Sequence, residues 1–230
     1  MKRYICLIIL SLFSLLIAFG FSSSPSASTL ISFVRSQEHS DSEADLIAAL
    51  DDCIQKRFLD VDKGFGFSRV IRPGTTPHRY EAENAKELSV VEYLTRARLD
   101  VVLYLAGRRV VEAKLTSENA DSVVNGLIKG PVFITAGNKQ NTGLPGPAQL
   151  LSRCQEAMHV FQGSGKYDFS LGEWNFIARP VRASDTTCLN CHQRNGTSLL
   201  SWGKSDQDSK SLHIGDPLGL LVYGYKNSRQ

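Results

Sequence analysis

The sequence is poor in several features that would each indicate a particular class of protein. Its 230 residues include only five cysteines and two methionines, and 26 basic residues nearly balance 23 acidic ones. The cysteine count is too low for a small scaffold held together by disulfides. The net charge of +3 is too small to indicate nucleic acid or an anionic membrane surface as the partner. An ordinary apolar fraction of 42% excludes a disordered or collagen-like chain.

The first 28 residues have the layout of a secretory signal peptide. Lys2 and Arg3 precede an uncharged apolar run at Tyr4–Phe21, and small residues follow it, with Ser26 and Ser28 at the −3 and −1 positions of a cleavage site. The apolar run approaches the roughly 20 residues that span a bilayer, so an uncleaved membrane anchor is the alternative. We expect export to the periplasm or an equivalent compartment outside the cytoplasm.

Removal of residues 1–28 leaves residues 29–230, which we predict to form a single domain. The mature chain then has 24 basic and 23 acidic residues, a net charge of +1. In an oxidising compartment the remaining cysteines are candidates for disulfides or for cofactor attachment. They are Cys53, Cys154, Cys188 and Cys191.

Apolar residues recur at helical spacing in three stretches of the mature chain. The first helix is predicted to begin near Ser40 and to reach about Phe58, with Cys53 on its apolar face. The other two are predicted at about Glu81–Arg98 and at Ala148–Phe161.

Elsewhere the period changes to that of short strands rich in β-branched residues. We predict a hairpin of Val101–Leu105 with Val110–Leu115, and further strands at Val132–Thr135, Trp174–Val181 and Leu218–Tyr225. A polar stretch from Gln193 to Asp216 is predicted to be a long loop. The pattern predicts one α+β domain, with an antiparallel sheet and helices segregated from it.

One motif carries recognisable chemistry: Cys188-Leu189-Asn190-Cys191-His192 is C-x-x-C-H, the attachment sequence of a c-type haem. Two thiols at this spacing reach the two vinyl groups of one porphyrin, and the adjacent histidine reaches the iron from the same side. Chance would produce this pentamer in roughly two sequences per thousand of this composition, so the signal is strong. We therefore predict one covalently attached haem c.

Three other interpretations of the two cysteines remain open. They are a structural disulfide, half of a zinc site and a thioredoxin-like redox pair. The sequence contains no second C-x-x-C and no H-x-x-x-H that would complete a zinc site. No strand is predicted directly before a helix at the motif, as a thioredoxin-like pair requires.

The surroundings of the motif resemble one family, the exported single-haem c-type proteins with a PAS-like fold, which are known in cyanobacteria and as sensory domains of bacterial signalling proteins. The resemblance is carried by Ala178–Val181, by Cys188–His192 and by Gly215–Leu220. The close match covers about residues 174–225, and Gln193 stands where the family usually has glycine. The resemblance implies a PAS-like antiparallel sheet flanked by helices, with a long N-terminal helix.

His192 is the predicted proximal ligand of the iron, and the residue on the opposite side of the haem decides much of the redox behaviour. The resemblance implies a cysteine from the N-terminal helix, and Cys53 is the corresponding position. A buried core cysteine or a Cys53–Cys154 disulfide is the alternative for the same residue. Met158, which lies on an apolar helical stripe, is the runner-up. The other possible donors in the mature chain are Cys154, His39, His159, and two histidines in stretches more typical of solvated loops, His78 and His213.

Arg179 and Arg182 flank the motif on its N-terminal side and are candidate contacts for the haem propionates, or else ordinary solvated arginines at a strand end. No paired carboxylates stand out for acid–base work, so we predict a redox or sensor protein rather than a haem peroxidase. The predicted role is electron transfer or redox sensing, with a gas or redox sensor that signals through a separate partner as the alternative. The expected partner is a redox protein or a signalling protein, without nucleic acid, and with a membrane only if the leader is uncleaved.

Overall fold

An antiparallel sheet with helices on both of its faces organises the domain. The computed structural model describes residues 42–60, 62, 66–71, 74, 77–112, 127–135, 143–161, 163–194 and 212–227. The strands are β1 (Leu99–Gly107), β2 (Ile128–Phe133), β3 (Tyr167–Leu171), β4 (Trp174–Arg182) and β5 (Pro217–Asn227). The helices are α1 (Glu43–Leu59), α2 (Ala85–Arg96), α3 (Pro147–Val160) and α4 (Thr186–Arg194), with 3₁₀ segments η1 (Gly66–Arg69) and η2 (Arg108–Glu112). The predicted α+β class is confirmed.

The last strand in sequence lies at the centre of the sheet. The strand order is β2-β1-β5-β4-β3, and every neighbouring pair is antiparallel. β5 pairs with β1 along its length, from Leu99 opposite Asn227 to Gly107 opposite Gly219. Because both faces of a central strand are covered, its sequence is a nearly continuous apolar run rather than an alternating one.

The two faces of the sheet carry separate apolar cores. On the first, which we call the α1 face, α1 and α2 pack against alternate strand residues that include Leu103, Ile177 and Tyr223. On the second, the α3 face, α3 packs against the intervening residues, among them Tyr104, Phe176 and Val222. Successive strand residues point to opposite faces, so a residue's parity along the strand decides which core it joins.

The ends of the helices follow from their capping residues. Asn84 caps α2 by accepting a hydrogen bond from Glu87 N–H at 3.0 Å, so this helix begins later than the predicted Glu81. At α3, Pro147 occupies the first turn, and Gln149 Oε1 accepts a hydrogen bond from Gly146 N–H at 3.1 Å. The third predicted helix is confirmed within one residue at each end. Ser40, the predicted start of the first helix, lies outside the described residues.

The predicted hairpin after the second helix is wrong. The segment at Arg108–Glu112 forms a 3₁₀ turn, and β1 pairs with β2 and β5 instead. Val110 is fully buried in the core of the α3 face, and its carbonyl accepts a hydrogen bond from Gln155 Nε2 at 3.0 Å. Packing against α3 thus overrides the β propensity of the segment. Strand β3 is missing from the prediction, although its Tyr167, Phe169 and Leu171 alternate with polar residues as a strand with one face on the core requires.

Gly219, within the sequence that carries the family resemblance, is required by close backbone approach. A Cβ at this position would lie 2.7 Å from Ala106 O on the neighbouring strand, and backbone cannot yield as a flexible side chain does. We expect Gly219→Ala to lower the free energy of unfolding by about 1–3 kcal/mol. Urea denaturation checks this, with Gly163→Ala as the control, because a Cβ at Gly163 would meet nothing within 4 Å. Equal losses in both variants would contradict the explanation.

Candidate functional site

The C-x-x-C-H motif lies on α4, in the connection between the neighbouring strands β4 and β5. The two ends of this connection are tied together. Ala183 N–H donates to Asp216 O at 3.0 Å, and Gly215 N–H donates to Ala183 O at 2.8 Å. The connection therefore leaves the sheet and returns to it at one point, with α4 as its first element.

Helical geometry places the motif positions on one side of α4. Cys191 and His192 follow Cys188 by three and four residues, which brings the three positions within about 100° around the helix axis. Cys188 is half-buried and His192 is exposed, so a flat ring can reach both from outside the helix. Two thiols and an imidazole in this arrangement are the donor set that a covalently bound haem requires. The residues fit the predicted cofactor.

His192 has the protonation state that an iron ligand needs. His192 is accessible to solvent, but neighbouring protein removes part of the water around its ring, which lowers its pKa below the ordinary value of 6.5, and the positive charge of Arg69 lowers it further. At neutral pH the imidazole is therefore uncharged, with a nitrogen lone pair free for coordination. Arg69 belongs to η1, the 3₁₀ segment that follows α1 in the sequence.

Cys53, the candidate distal ligand, lines a cleft between α1 and the first turn of α2. The cleft has a volume of about 420 Å³. Cys53 is 4% exposed, and burial raises the pKa of its thiol, although Lys86 opposes the shift. The other lining residues that the structure describes are polar and none belongs to α4: Lys56, Arg57, Asp60, Glu83, Asn84, Lys86 and Glu87. Cys53 and His192 are thus placed in different surroundings, and ligation by Cys53 stays a prediction.

Met158 and Cys154 lie on the other face of the sheet. Both belong to the α3-face core, at 7% and 1% exposure, whereas Cys53 belongs to the core of the α1 face. The sheet therefore separates Cys53 from Cys154, and both are free thiols. The alternative of a Cys53–Cys154 disulfide is wrong. Burial raises the pKa of Cys154 to about 12, so its thiol is neutral and unreactive.

Arg179 takes part in a network beneath α1. Asp51, 6% exposed, accepts a hydrogen bond from the Tyr223 hydroxyl at 2.8 Å, and its other oxygen lies 3.7 Å from Arg179 Nε. Gln55 donates to Asp51 at 3.3 Å and to Pro180 O at 3.1 Å. The network fastens α1 to β4, the strand that leads to α4. Part of the Arg179 side chain remains exposed, and its contact with a haem propionate stays a prediction.

Arg182 is engaged on the opposite side of the strand. Its guanidinium donates to Phe161 O at 2.7 Å, to Ser164 O at 3.2 Å and to Gly215 O at 2.9 Å. These three carbonyls include the C-terminal end of α3 and the return of the connection to β5. The contacts give Arg182 a structural role and do not favour the predicted propionate contact.

The two loop histidines lie in different parts of the fold. His78 O accepts a hydrogen bond from Phe133 N–H at 2.9 Å, beside the edge strand β2. His213 is exposed, with Nδ1 at 3.7 Å from Asp216 Oδ2. Neither position is brought to α4 by a described contact, which leaves both as weak candidates for the iron.

Sequence reasoning missed a buried ion pair at the cleft. Arg57 and Glu87, each 5% exposed, form a two-point contact, with Arg57 Nε 3.1 Å from Glu87 Oε1. Arg57 also donates to Glu81 O at 2.6 Å, and its guanidinium lies 4.7 Å from the centre of the Tyr80 ring. The only available signal was a capping pattern at Asn84 and Glu87, which predicts the start of α2 and not the partner on α1.

Comparisons with protein-family models, with curated proteins and with solved structures found no match. Among the described helices, none has both the length and the apolar composition needed to cross a bilayer. Within the same ranges there is no cluster of three or more histidine, cysteine or acidic side chains suited to a bare metal ion. A haem does not need such a cluster, because the porphyrin itself supplies four of the iron ligands. The motif and its geometry are therefore the features of this chain that indicate a function.

Burial of Asp51 predicts a particular pH dependence of stability. Burial raises its pKa above the ordinary value of 3.8, against the opposing hydrogen bond from Tyr223 and the charge of Arg179. The native state thus binds the proton more tightly than the unfolded state, so this group destabilises the fold as pH rises above 3.8. We expect Asp51→Asn to gain stability relative to the wild type between pH 3 and pH 7. Urea midpoints at both values check this, and an equal difference at the two pH values would contradict it.

Proposed function

We propose that this chain is an exported c-type haem protein that carries one haem on Cys188 and Cys191, with His192 as the proximal ligand. The observation that carries the proposal is the helical placement of the C-x-x-C-H motif on α4, with the thiol of Cys188 and the neutral imidazole of His192 accessible on the helix. A haem held in this way supplies one-electron redox chemistry. The chain's own contribution is to hold the ring, to orient the imidazole and to restrict water near the iron.

The topology supports a PAS-like fold for this domain. The antiparallel order β2-β1-β5-β4-β3, with the last strand at the centre, supports the PAS-like sheet that the resemblance implies. The Ala178-Arg179-Pro180 sequence lies on β4, which leads into the motif helix, and β5 joins the two halves of the sheet. The described part of the N-terminal helix, α1, packs on the face of the sheet opposite α3. These features lie outside the C-x-x-C-H motif, so they support the family resemblance independently of it.

Export follows from the same chemistry. Attachment of haem c takes place outside the cytoplasm, and the first 28 residues have the composition of a leader. The mature net charge of +1 favours no strongly charged docking partner. The proposed partner is a redox protein, or a separate signalling protein, that meets the domain in the periplasm or an equivalent compartment. A membrane is involved only if the leader is retained.

Cys53 remains the proposed distal ligand. Its thiol must lose a proton to bind the iron, and its surroundings affect how easily it does so. Burial raises the pKa of its thiol, so the positive charge of ferric iron is needed to favour the thiolate. Lys56 and Lys86 line the same cleft and also favour a negative sulfur. A thiolate ligand stabilises ferric iron and lowers the reduction potential. Met158 is disfavoured because it lies in the core of the other sheet face.

Spectroscopy of the mature protein, produced with a haem-attachment system, tests the ligand. We expect Cys53→Ala to change the ferric absorption and electron paramagnetic resonance spectra from thiolate-ligated low spin to another form. Cys154→Ala and Met158→Ala are matched controls, since both remove buried sulfur on the α3 face and should leave the spectra unchanged. An unchanged spectrum in Cys53→Ala would contradict thiolate ligation, and a changed one in Met158→Ala would assign the ligand to methionine.

The same preparation distinguishes electron transfer from sensing. A carrier keeps six-coordinate iron in both redox states, whereas a redox or gas sensor exchanges its distal ligand. Loss of the ligand on reduction, followed by ready binding of carbon monoxide, would favour sensing. A spectrum that stays six-coordinate and resists carbon monoxide would favour electron transfer. Peroxidase activity ranks last, because no paired acid–base residues are predicted for the distal side.

A further inference from the structure

A short network of side chains connects the start of α4 to the first attachment cysteine. Asp185 Oδ1 accepts hydrogen bonds from Thr187 N–H at 2.7 Å and from Cys188 N–H at 3.2 Å, so Asp185 is the N-cap of the helix. Ser184 Oγ lies 3.0 Å from Asp185 Oδ2 and 3.5 Å from Cys188 Sγ. The backbone and the thiol of Cys188 are therefore both held by the two residues that precede the helix.

The direction of these hydrogen bonds can be assigned. The backbone N–H of Cys188, together with Ser184 and Thr187, lowers the pKa of Asp185 below its ordinary value of 3.8. An ionised carboxylate only accepts, so the Ser184 hydroxyl donates its proton to Asp185. The remaining lone pairs of Ser184 Oγ then accept from the Cys188 thiol. This arrangement fixes one side-chain conformation of Cys188.

α4 depends on this network more than an ordinary helix depends on its cap. It has nine residues, fewer than an isolated helix needs for stability in water. Thr186, Thr187 and Asn190 have modest helix propensity, and all three are exposed. The α4 side chains whose exposure is described are exposed or half-buried, so these residues contribute little buried apolar area. Capping is then a large share of what keeps the helix formed before a haem is attached.

We propose that Ser184 and Asp185 are positioning residues for haem attachment, which form the first turn of α4 and aim the Cys188 thiol. This inference rests on the proposed haem function. In the attachment step the S–H of Cys188 adds across a vinyl group. The sulfur–carbon bond forms, the carbon–carbon π bond breaks, and the thiol proton ends on the neighbouring vinyl carbon, with no net gain or loss of electrons. Ser184 and Asp185 contribute orientation to this addition.

The test compares Ser184→Ala, Asp185→Ala and Asp185→Asn in the full chain, produced with a haem-attachment system. Asparagine caps a helix as well as aspartate does, so it separates capping from charge. The exposed Thr186→Ala is the control. Peptide mass spectrometry measures the fraction of chains with a free Cys188 thiol, and the α-band position of the pyridine haemochrome reports the number of thioethers. Backbone chemical shifts of the haem-free protein measure the helical population of α4.

We expect Asp185→Ala to lower the helical population of haem-free α4 about fivefold. The fraction of haem bound through Cys191 alone should rise, and Asp185→Asn should restore both values. Ser184→Ala should raise the free Cys188 fraction with a smaller effect on the helix. Complete attachment at Cys188 in Asp185→Ala, or equal defects in Thr186→Ala, would overturn the inference. A wild type without covalent haem would instead contradict the proposed function, and the helix measurement on haem-free protein would still test the cap.

Discussion

The double variant Cys188→Ala, Cys191→Ala is expected to fold as the wild type does and to contain no covalently bound haem. Both residues lie on the short helix α4, and Cys188 is half-buried and belongs to neither apolar core of the sheet, so its loss removes no core packing. Thioether formation requires both sulfurs for two-point attachment. After export with a haem-attachment system, acid–acetone extraction should release all haem from the variant and none from the wild type.

The single variants refine this expectation. Cys188→Ala and Cys191→Ala should each retain one thioether, and His192→Ala should keep both thioethers but lose the proximal ligand and its low-spin spectrum. Cys154→Ala is the matched control for removal of a thiol. Cys154 lies in the α3-face core, so this substitution should leave haem attachment intact. Covalent haem in the double variant would contradict the assignment of the attachment residues.

The second large effect is expected at the buried ion pair of the cleft. Arg57→Met leaves Glu87 buried without its partner and removes the hydrogen bond to Glu81 O. Breaking a buried pair on one side typically costs about 3–5 kcal/mol, because the remaining charge is uncompensated. The segment 78–84 and the start of α2 should loosen together, because Arg57 fastens both to α1. Urea denaturation of the haem-free protein measures the loss.

Two further variants separate charge from packing. Arg57→Met combined with Glu87→Gln should recover part of the stability, because no charge then remains buried. Arg153→Met, which breaks an exposed pair with Glu156, should leave the midpoint unchanged within error. Equal losses in Arg57→Met and Arg153→Met would contradict the importance of burial.

The dependence of the free energy of unfolding on pH in the acid range tests the same ion pair. Burial alone would raise the pKa of Glu87, but the hydrogen bonds from Arg57 and from Glu83 N–H lower it below 4.5. Glu87 therefore contributes stability above pH 4.5 that is lost as the pH falls through its lower native value. The free energy of unfolding should consequently fall less on acidification in Arg57→Met than in the wild type.

The parts of the fold that the sequence predicts well are those with strong local signals. Amphipathic spacing predicts α1 and α3, and apolar runs predict β4 and β5, because burial in one domain requires those patterns. The 3₁₀ turn at Arg108–Glu112 could not be predicted in the same way. Val110 has β propensity, and only its packing against α3 decides otherwise.

The residues of the candidate site also differ in whether a local sequence signal predicts them. Cys188, Cys191 and His192 are adjacent in sequence, so their spacing alone predicts the chemistry. The distal side depends on residues far apart in the chain, and periodicity placed Cys53, Cys154 and Met158 equally on apolar faces. Only the sheet shows that Cys53 lies on one face and the other two on the opposite one. The buried Arg57–Glu87 pair spans 30 residues and has no local signature for the same reason.

The most direct test of the central claim is the mass of the exported wild-type protein under denaturing conditions. Production together with a c-type haem-attachment system should give a chain heavier than its mature sequence by one haem. The added mass should map to the peptide that contains Cys188 and Cys191. A mass equal to that of the unmodified chain, with both thiols free or joined in a disulfide, would contradict the assignment of this protein as a c-type haem protein.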